Sequence, residues 1–271
     1  MNGPGRGRRG IFQPHDASWY NRFHEDKSFA AEVDQIREIL IREGPVDEIL
    51  DLACGWGHHL ELLAAAGHLV TGADRSLELV TAARKRLRPY GSRHRVLHAD
   101  LFTTTLNRSV DVVLMMFALL SYHVSNAEAL AILRAAQRQL RPGGLVIFDV
   151  LDATATLTGP VTGSGMAVIG GSGRKLLCAH AQRRRDESQT LELRLRLWLL
   201  EDDRLIDQGE ETHRMRFYLE RELDLLLCLA GFQFLGSAPL AGADVATGEE
   251  SGDLAGRGAG ASFRLVWARK T

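Results

Sequence analysis

An apolar run, Ile49-Leu50-Asp51-Leu52, breaks into Ala53-Cys54-Gly55-Trp56-Gly57 and resumes as His58-His59-Leu60, so a strand must hand over to a helix across two glycines. Glycine permits the tight reversal and lets a ligand sit against bare backbone, where the unpaired N–H groups of a helix start can hold an anionic group. A second apolar strand, Leu69-Val70-Thr71-Gly72-Ala73-Asp74, then delivers an acid about 20 residues on, the spacing at which a carboxylate meets a ribose diol. Together the two segments predict a βαβ unit that binds a nucleoside.

The loop also says which nucleoside. A dinucleotide fingerprint reads G-x-G-x-x-G, with its third glycine close to a pyrophosphate, and that place is held here by Leu60. The loop begins instead at Asp51, whose carboxylate would repel a pyrophosphate but suits S-adenosylmethionine, which carries positive charge on its amino group and its sulfonium. The expected cofactor is therefore S-adenosylmethionine, with NAD(P) as the rival.

Strand and helix signals alternate from Val46 to Val150, the pattern of a doubly wound, Rossmann-like α/β fold with a mainly parallel sheet. Ser125-Asn126-Ala127-Glu128 forms a capping box that predicts a helix over 125–140, and Pro142-Gly143-Gly144 stops it. Residues 152–173, rich in Gly and Thr and without period, predict a long mobile connection that would serve as a lid. Leu191 to Leu199 alternates strictly and predicts a half-exposed strand; runs at 175–183 and 208–217 would be its antiparallel partners in a three-stranded insertion. A helix over about 219–230, closed by Gly231, leads to two final strands, 232–236 and 262–269, expected as an antiparallel edge hairpin. The domain plan is thus a disordered tail (1–17), an N-terminal helical cap (18–45) and a cofactor-binding core (46–151). A lid and β insertion (152–218) follow, then a C-terminal helix with edge strands (219–271) interrupted by a flexible Gly/Ala-rich loop (238–261).

On these motifs the chain resembles the class I S-adenosylmethionine-dependent methyltransferases. Asp51 to Gly57 matches the family's first motif, Asp74 the ribose-binding acid, and His98-Ala99-Asp100-Leu101 the strand end that meets adenine. Val112 to Phe117 and Leu140 to Leu145 match the fourth strand and the turn into the fifth. Within the family, Trp19-Tyr20 through Lys27, Phe117 to Tyr122 and Thr212 to Phe217 are similar to a subgroup that includes amino-sugar N,N-dimethyltransferases. The resemblance implies cofactor contacts from Tyr20, Asp51, Ala53, Gly55, Gly57, Asp74, Arg75, Asp100, Leu101, Met116 and Phe117. It implies acceptor contacts from Tyr20, His24 and His213; His24 stands where an aromatic residue is expected. In the subgroup the β insertion walls the acceptor side and often takes part in dimer contacts, so a homodimer is an expected assembly.

Methyl transfer from a sulfonium is an in-line displacement, so alignment and exclusion of water dominate, and the remaining task is to take a proton from the acceptor. Tyr122 and His123 follow the fourth strand and are the catalytic candidates, with His123 as the base because its ordinary pKa lies near neutrality. An amine acceptor is preferred, a hydroxyl or phenol is the alternative, and a catalytically silent cofactor-binding subunit is a third reading.

Composition narrows the partners. With 33 basic and 34 acidic residues the chain has no field to attract nucleic acid. Cys54, Cys178 and Cys228 are odd in number and outside any C-x-x-C pattern, which predicts reduced thiols and a cytoplasmic location. Adjacent His58 and His59 point apart on a helix and predict no metal site. Arg183-Arg184-Arg185, followed by Asp186 and Glu187, reads as a solvated hairpin turn, and the N-terminus lacks the apolar run of a signal or membrane anchor.

Overall fold

In the computed structural model, residues 29–103, 105–170, 173–242 and 262–271 are described. The parallel strands are β1 (Glu48–Leu52), β2 (Leu69–Asp74), β3 (Arg95–His98), β4 (Val110–Met115) and β5 (Leu140–Asp152). They lie in the order β3-β2-β1-β4-β5. The C-terminal strands β10 (Phe232–Pro239) and β11 (Phe263–Lys270) complete the edge, with β11 antiparallel to both β5 and β10. The expected doubly wound sheet with an antiparallel edge hairpin is therefore present.

Because side chains alternate across a strand, the same strands feed two cores. On one face Leu50, Leu52, Val113, Met115, Val146 and Phe148 meet α4 (Asn126–Gln139) and α6 (Glu220–Leu229). On the other, Ile49, Val70, Val112, Leu114 and Ile147 meet α1 (Phe29–Glu43), α2 (His58–Ala65) and α3 (Leu77–Leu87). The capping box at Ser125 forms as expected: its side chain accepts from the Glu128 N–H while Glu128 returns to the Ser125 N–H. Helix α1 falls within the expected N-terminal cap, whereas the tail and residues 18–28 lie outside the described residues; so does the flexible loop beyond Gly242.

Two expectations are corrected. The lid at 152–173 is instead a short helix, α5 (Ala153–Thr158), capped by the Asp152 side chain, followed by a strand, β6 (Thr162–Gly170). The insertion accordingly has four strands, not three: β6 pairs with β7 (Arg174–Arg185), which pairs with β8 (Thr190–Glu201), which pairs with β9 (Arg204–Tyr218). Strand β9 reaches back into the main sheet, where Phe217 and Tyr218 pair in parallel with Leu151 and Asp152 of β5. The reading of Arg184 as solvated is also overturned. Its side chain is buried, and its guanidinium donates to the carbonyls of Thr156, Leu157 and Gly159, filling the open C-terminal acceptors of α5.

On the inner face of the insertion His180 is 6% exposed, and both its ring nitrogens lack a hydrogen-bond partner among the described residues. Burial lowers its pKa below the ordinary imidazole range. An unfolded chain, with this ring near about 6.5, then binds more protons than the native one. Stability should be complete above that value and fall as pH drops through it toward the lower native pKa. Urea midpoints should therefore decline between about pH 6.5 and 5, and His180→Leu should flatten part of that decline; an unchanged slope in the variant would refute the assignment.

Candidate active site

The sheet order reverses between β1 and β4, and ligands of such sheets bind outside the carboxyl ends of the strands at that point. A cleft lies there. Its floor is the loop after β1, where Ala53, Gly55 and Gly57 all have positive φ (61°, 53° and 76°), a compact reversal that brings backbone to the surface. Asp74, at the end of β2, accepts from the Gly55 N–H (3.0 Å) and the Ser76 N–H (2.8 Å), so one carboxylate ties two loops together. A carboxylate offers about four lone-pair sites, which leaves capacity for a diol. Asp100 turns its own loop by accepting from the Phe102 N–H (2.8 Å).

Of the residues expected to hold a cofactor, Ala53, Gly55, Asp74, Arg75, Asp100, Leu101, Met116 and Phe117 line this cleft, together with Tyr122 and His123. Asp51 and Gly57 do not. Asp51 is buried beneath the loop, and burial, reinforced by the neighbouring Asp74 carboxylate, pushes its pKa well above the usual carboxylate range. Two acids this close leave a spot where a cation would be favoured. Gly57 instead meets α3: a Cβ there would sit 2.9 Å from the Ala83 Cβ. Tyr20 and His24 lie outside the described residues.

The far wall is a strained turn. Phe117 and Ala118 both have positive φ (64° and 51°), uncommon for side-chain-bearing residues. The turn is pinned by Asp149 of β5, which accepts from the Ala118 N–H (2.9 Å), and by Ser121, whose hydroxyl accepts from the Leu151 N–H (3.0 Å). This turn presents Tyr122 and His123 to the cleft. The Tyr122 hydroxyl lies 3.1 Å from Nδ1 of His213 on β9, and Nε2 of His213 lies 3.0 Å from a Glu211 carboxylate oxygen. His213 thus stands behind Tyr122, outside the lining of the cleft. His213 and Arg216 are both buried and neither lines the cleft; Arg216 pairs with Glu222 and donates to the Val124 carbonyl.

His123 faces other neighbours. Its ring meets Phe102 edge-on at 6.1 Å. Burial, aided by Arg75, lowers its pKa against the opposing pull of Glu128 and Asp100.

Several lining residues escaped sequence reasoning. Phe29 of α1 stacks on His58 (4.2 Å between centroids), and His59 pairs with buried Glu32 of α1 (2.8 Å), so the histidine pair anchors a helix across the cleft. No group of His, Cys, Asp and Glu suited to a metal ion occurs among the described residues. Asp149 did leave a signal: an acid inside the apolar run Val146-Ile147-Phe148-Asp149-Val150 must have a buried task.

The left-handed glycine loop, the acid at the end of β2 and the turn after β4 are arranged as the resemblance to class I S-adenosylmethionine-dependent methyltransferases implies. The family described as "Methyltransferase domain" matches residues 49–144. A dTDP-3-amino-3,6-dideoxy-alpha-D-glucopyranose N,N-dimethyltransferase from Streptomyces fradiae is 25% identical over 228 residues, covering 82% of this chain and 86% of the relative. A dTDP-3-amino-3,4,6-trideoxy-alpha-D-glucopyranose N,N-dimethyltransferase from Streptomyces venezuelae is 30% identical over 142 residues, 51% of this chain and 58% of the relative. In structure, CalS10 with bound S-adenosylmethionine, an amino pentose methyltransferase from Micromonospora echinaspora, superposes with a TM-score of 0.69 at 22% identity, covering 98% of this chain and 100% of that one. The lining of the cleft fits S-adenosyl-L-methionine, which supplies an electrophilic methyl group when bound.

Proposed function

We propose that this enzyme methylates the amine nitrogen of a small amino-sugar acceptor. The observation that carries the reading is the position of Tyr122, which lines the cofactor cleft and is hydrogen-bonded to the β insertion, at the junction of a donor half and an acceptor half. The substrates in the names of the two Streptomyces relatives support an amine on a nucleotide-linked sugar.

In this reading Asp74 receives the ribose hydroxyls, Asp100 and the Leu101 N–H meet adenine, and the Ala53–Gly57 loop faces the amino-acid end. Met116, Phe117 and Arg75 form walls. Asp51 acts from below, its field favouring the cofactor's positive charge. His123, with Phe102, Asp100 and Arg75 as neighbours, belongs to the nucleoside end, and proton removal falls to Tyr122.

The reading includes a cytoplasmic location, supported by the free thiols of Cys54, Cys178 and Cys228. It also includes a homodimer, supported by exposed Met166 and Val168 on β6, the outer edge strand of the insertion. No helix among the described residues is long and apolar enough to cross a membrane.

The test is incubation with methyl-labelled S-adenosylmethionine and dTDP-3-amino-3,6-dideoxy-alpha-D-glucopyranose, read by mass spectrometry. Label on the sugar nitrogen, once or twice, is the expected result. Label appearing only on phenols or hydroxyls in a parallel pool would replace this reading with O-methylation.

A further inference from the structure

We propose that Tyr122, His213 and Glu211 form a proton relay that carries away the proton released by the acceptor nitrogen. Tyr122 is its catalytic residue, and His213 and Glu211 position and polarise it from behind. The inference rests on the amine-methylation reading above and names the groups that complete it.

The three side chains are linked end to end, by 3.1 Å from the Tyr122 hydroxyl to His213 Nδ1 and 3.0 Å from His213 Nε2 to Glu211. A carboxylate only accepts, so in the neutral ring Nε2 carries the hydrogen and Nδ1 is left to accept from the Tyr122 hydroxyl. The phenol oxygen then turns its lone pairs toward the cleft, where an acceptor N–H can meet them.

The surroundings sharpen this arrangement. His213 is 5% exposed. Its cross-strand partner on the same face is Leu193, flanked by Leu191 and Leu195, so β8 brings no charge to the ring. One strand further, β7 places His180 and Gln182 on that face; on β9 itself the same-face neighbours are Glu211 and Met215, and from the cleft side comes Tyr122. Glu211 is therefore the one carboxylate among the described residues that faces His213 from these elements. The Glu211 carboxylate lies in line behind the ring that receives the proton, as the acid does behind the histidine of a Ser-His-Asp triad.

The nitrogen lone pair forms the N–C bond while the C–S bond breaks and its electrons go to sulfur, leaving a neutral thioether and a protonated nitrogen. That nitrogen gives a proton to the Tyr122 oxygen as the Tyr122 hydroxyl proton passes to His213 Nδ1. Tyrosine alone titrates near 10 and is a poor base at neutral pH; handing its own proton on lets it accept one without ever carrying a charge.

The test begins with the whole protein labelled with 15N-histidine, with and without S-adenosylhomocysteine. The expected His213 signal is the Nε2–H form, with an Nδ1 resonance that moves in Tyr122→Phe. A hydrogen on Nδ1, or no response to Tyr122→Phe, would overturn the relay. With dTDP-3-amino-3,6-dideoxy-alpha-D-glucopyranose as acceptor, His213→Gln should lower kcat about 10²-fold while leaving S-adenosylhomocysteine affinity unchanged. Glu211→Gln should lower kcat and let the His213 hydrogen populate Nδ1 as well as Nε2 in the 15N spectrum, because an amide can donate as well as accept. A merely structural Glu211 would lower kcat with the tautomer unchanged, and that result would also overturn the relay. The two readings fail separately. Loss of S-adenosylhomocysteine binding in the wild type would remove the methyltransferase reading, and absence of turnover on this amine would remove the acceptor reading. The histidine tautomer still decides the relay in either case.

Discussion

Asp74→Ala should weaken S-adenosylhomocysteine binding by about 3 kcal/mol, roughly 10²-fold, in calorimetry. Two losses combine. The ribose hydroxyls would enter a site with no acceptor, and each unmet buried polar group costs about 1–3 kcal/mol. In addition, Asp74 accepts from the backbone N–H groups of Gly55 and Ser76, so its removal also uncouples the glycine loop from the start of α3 before any ligand arrives. Asp74→Asn keeps the shape and one acceptor oxygen and should cost less. Wild-type affinity in Asp74→Ala would remove this residue from the cofactor site. Tight NAD(H) binding by the native protein, with none for S-adenosylhomocysteine, would contradict the cofactor itself.

The second large effect is expected at Gly57, on stability. Its φ of +76° is left-handed, which costs a side-chain-bearing residue about 1–2 kcal/mol. A Cβ would also sit 2.9 Å from the Ala83 Cβ and 3.3 Å from the Ala83 Cα, against the backbone of α3, and overpacking of this kind adds about 1–3 kcal/mol. Gly57→Ala should therefore lose about 2–5 kcal/mol, and Tm should fall by about 5–15 °C. Gly55 makes the contrast: its φ is also positive (+53°) but a Cβ there meets nothing within 4 Å, so Gly55→Ala should carry the backbone cost alone. Equal losses at the two positions would show that contact with Ala83 is not what Gly57 provides. The resemblance implies a ligand contact for Gly57; in the structure its bare Cα lies against Ala83 and seats the loop on the helix.

The cofactor half was legible because its signals are local. Strand, glycine turn and acid lie within Ile49 to Asp74, and the near-continuous apolar runs of the strands, with Ile49, Val112 and Ile147 in one core and Leu50, Val113 and Val146 in the other, follow directly from having helices on both faces. The acceptor half was harder to read because its features are set by residues distant in sequence. Strand β6 has no alternation because the space beside it is already filled. A Cβ at Gly165 would fall 2.6 Å from Cε1 of His180, and one at Gly163 would lie 3.1 Å from the Gln182 amide nitrogen. A strand facing such rings must be built of small residues, and small residues read as loop. Arg184 looked solvated because the carbonyls it serves end a helix about 25 residues earlier. The contact between Tyr122 and His213 spans 91 residues, and nothing near either one announces it.

The junction of the two halves carries a consequence for how such enzymes diversify. The insertion leaves the main sheet after Asp152 and rejoins it at Tyr218, and these two residues are register partners on neighbouring parallel strands. Exit and re-entry are thus one strand spacing apart, about 5 Å. Whatever lies between can be exchanged, lengthened or shortened without moving β1, β2 or the glycine loop that floors the cleft. Recombination at these two points would give a new acceptor chamber on an inherited donor site, with one condition on the incoming segment: its last strand must bring a partner to the tyrosine that waits at the seam.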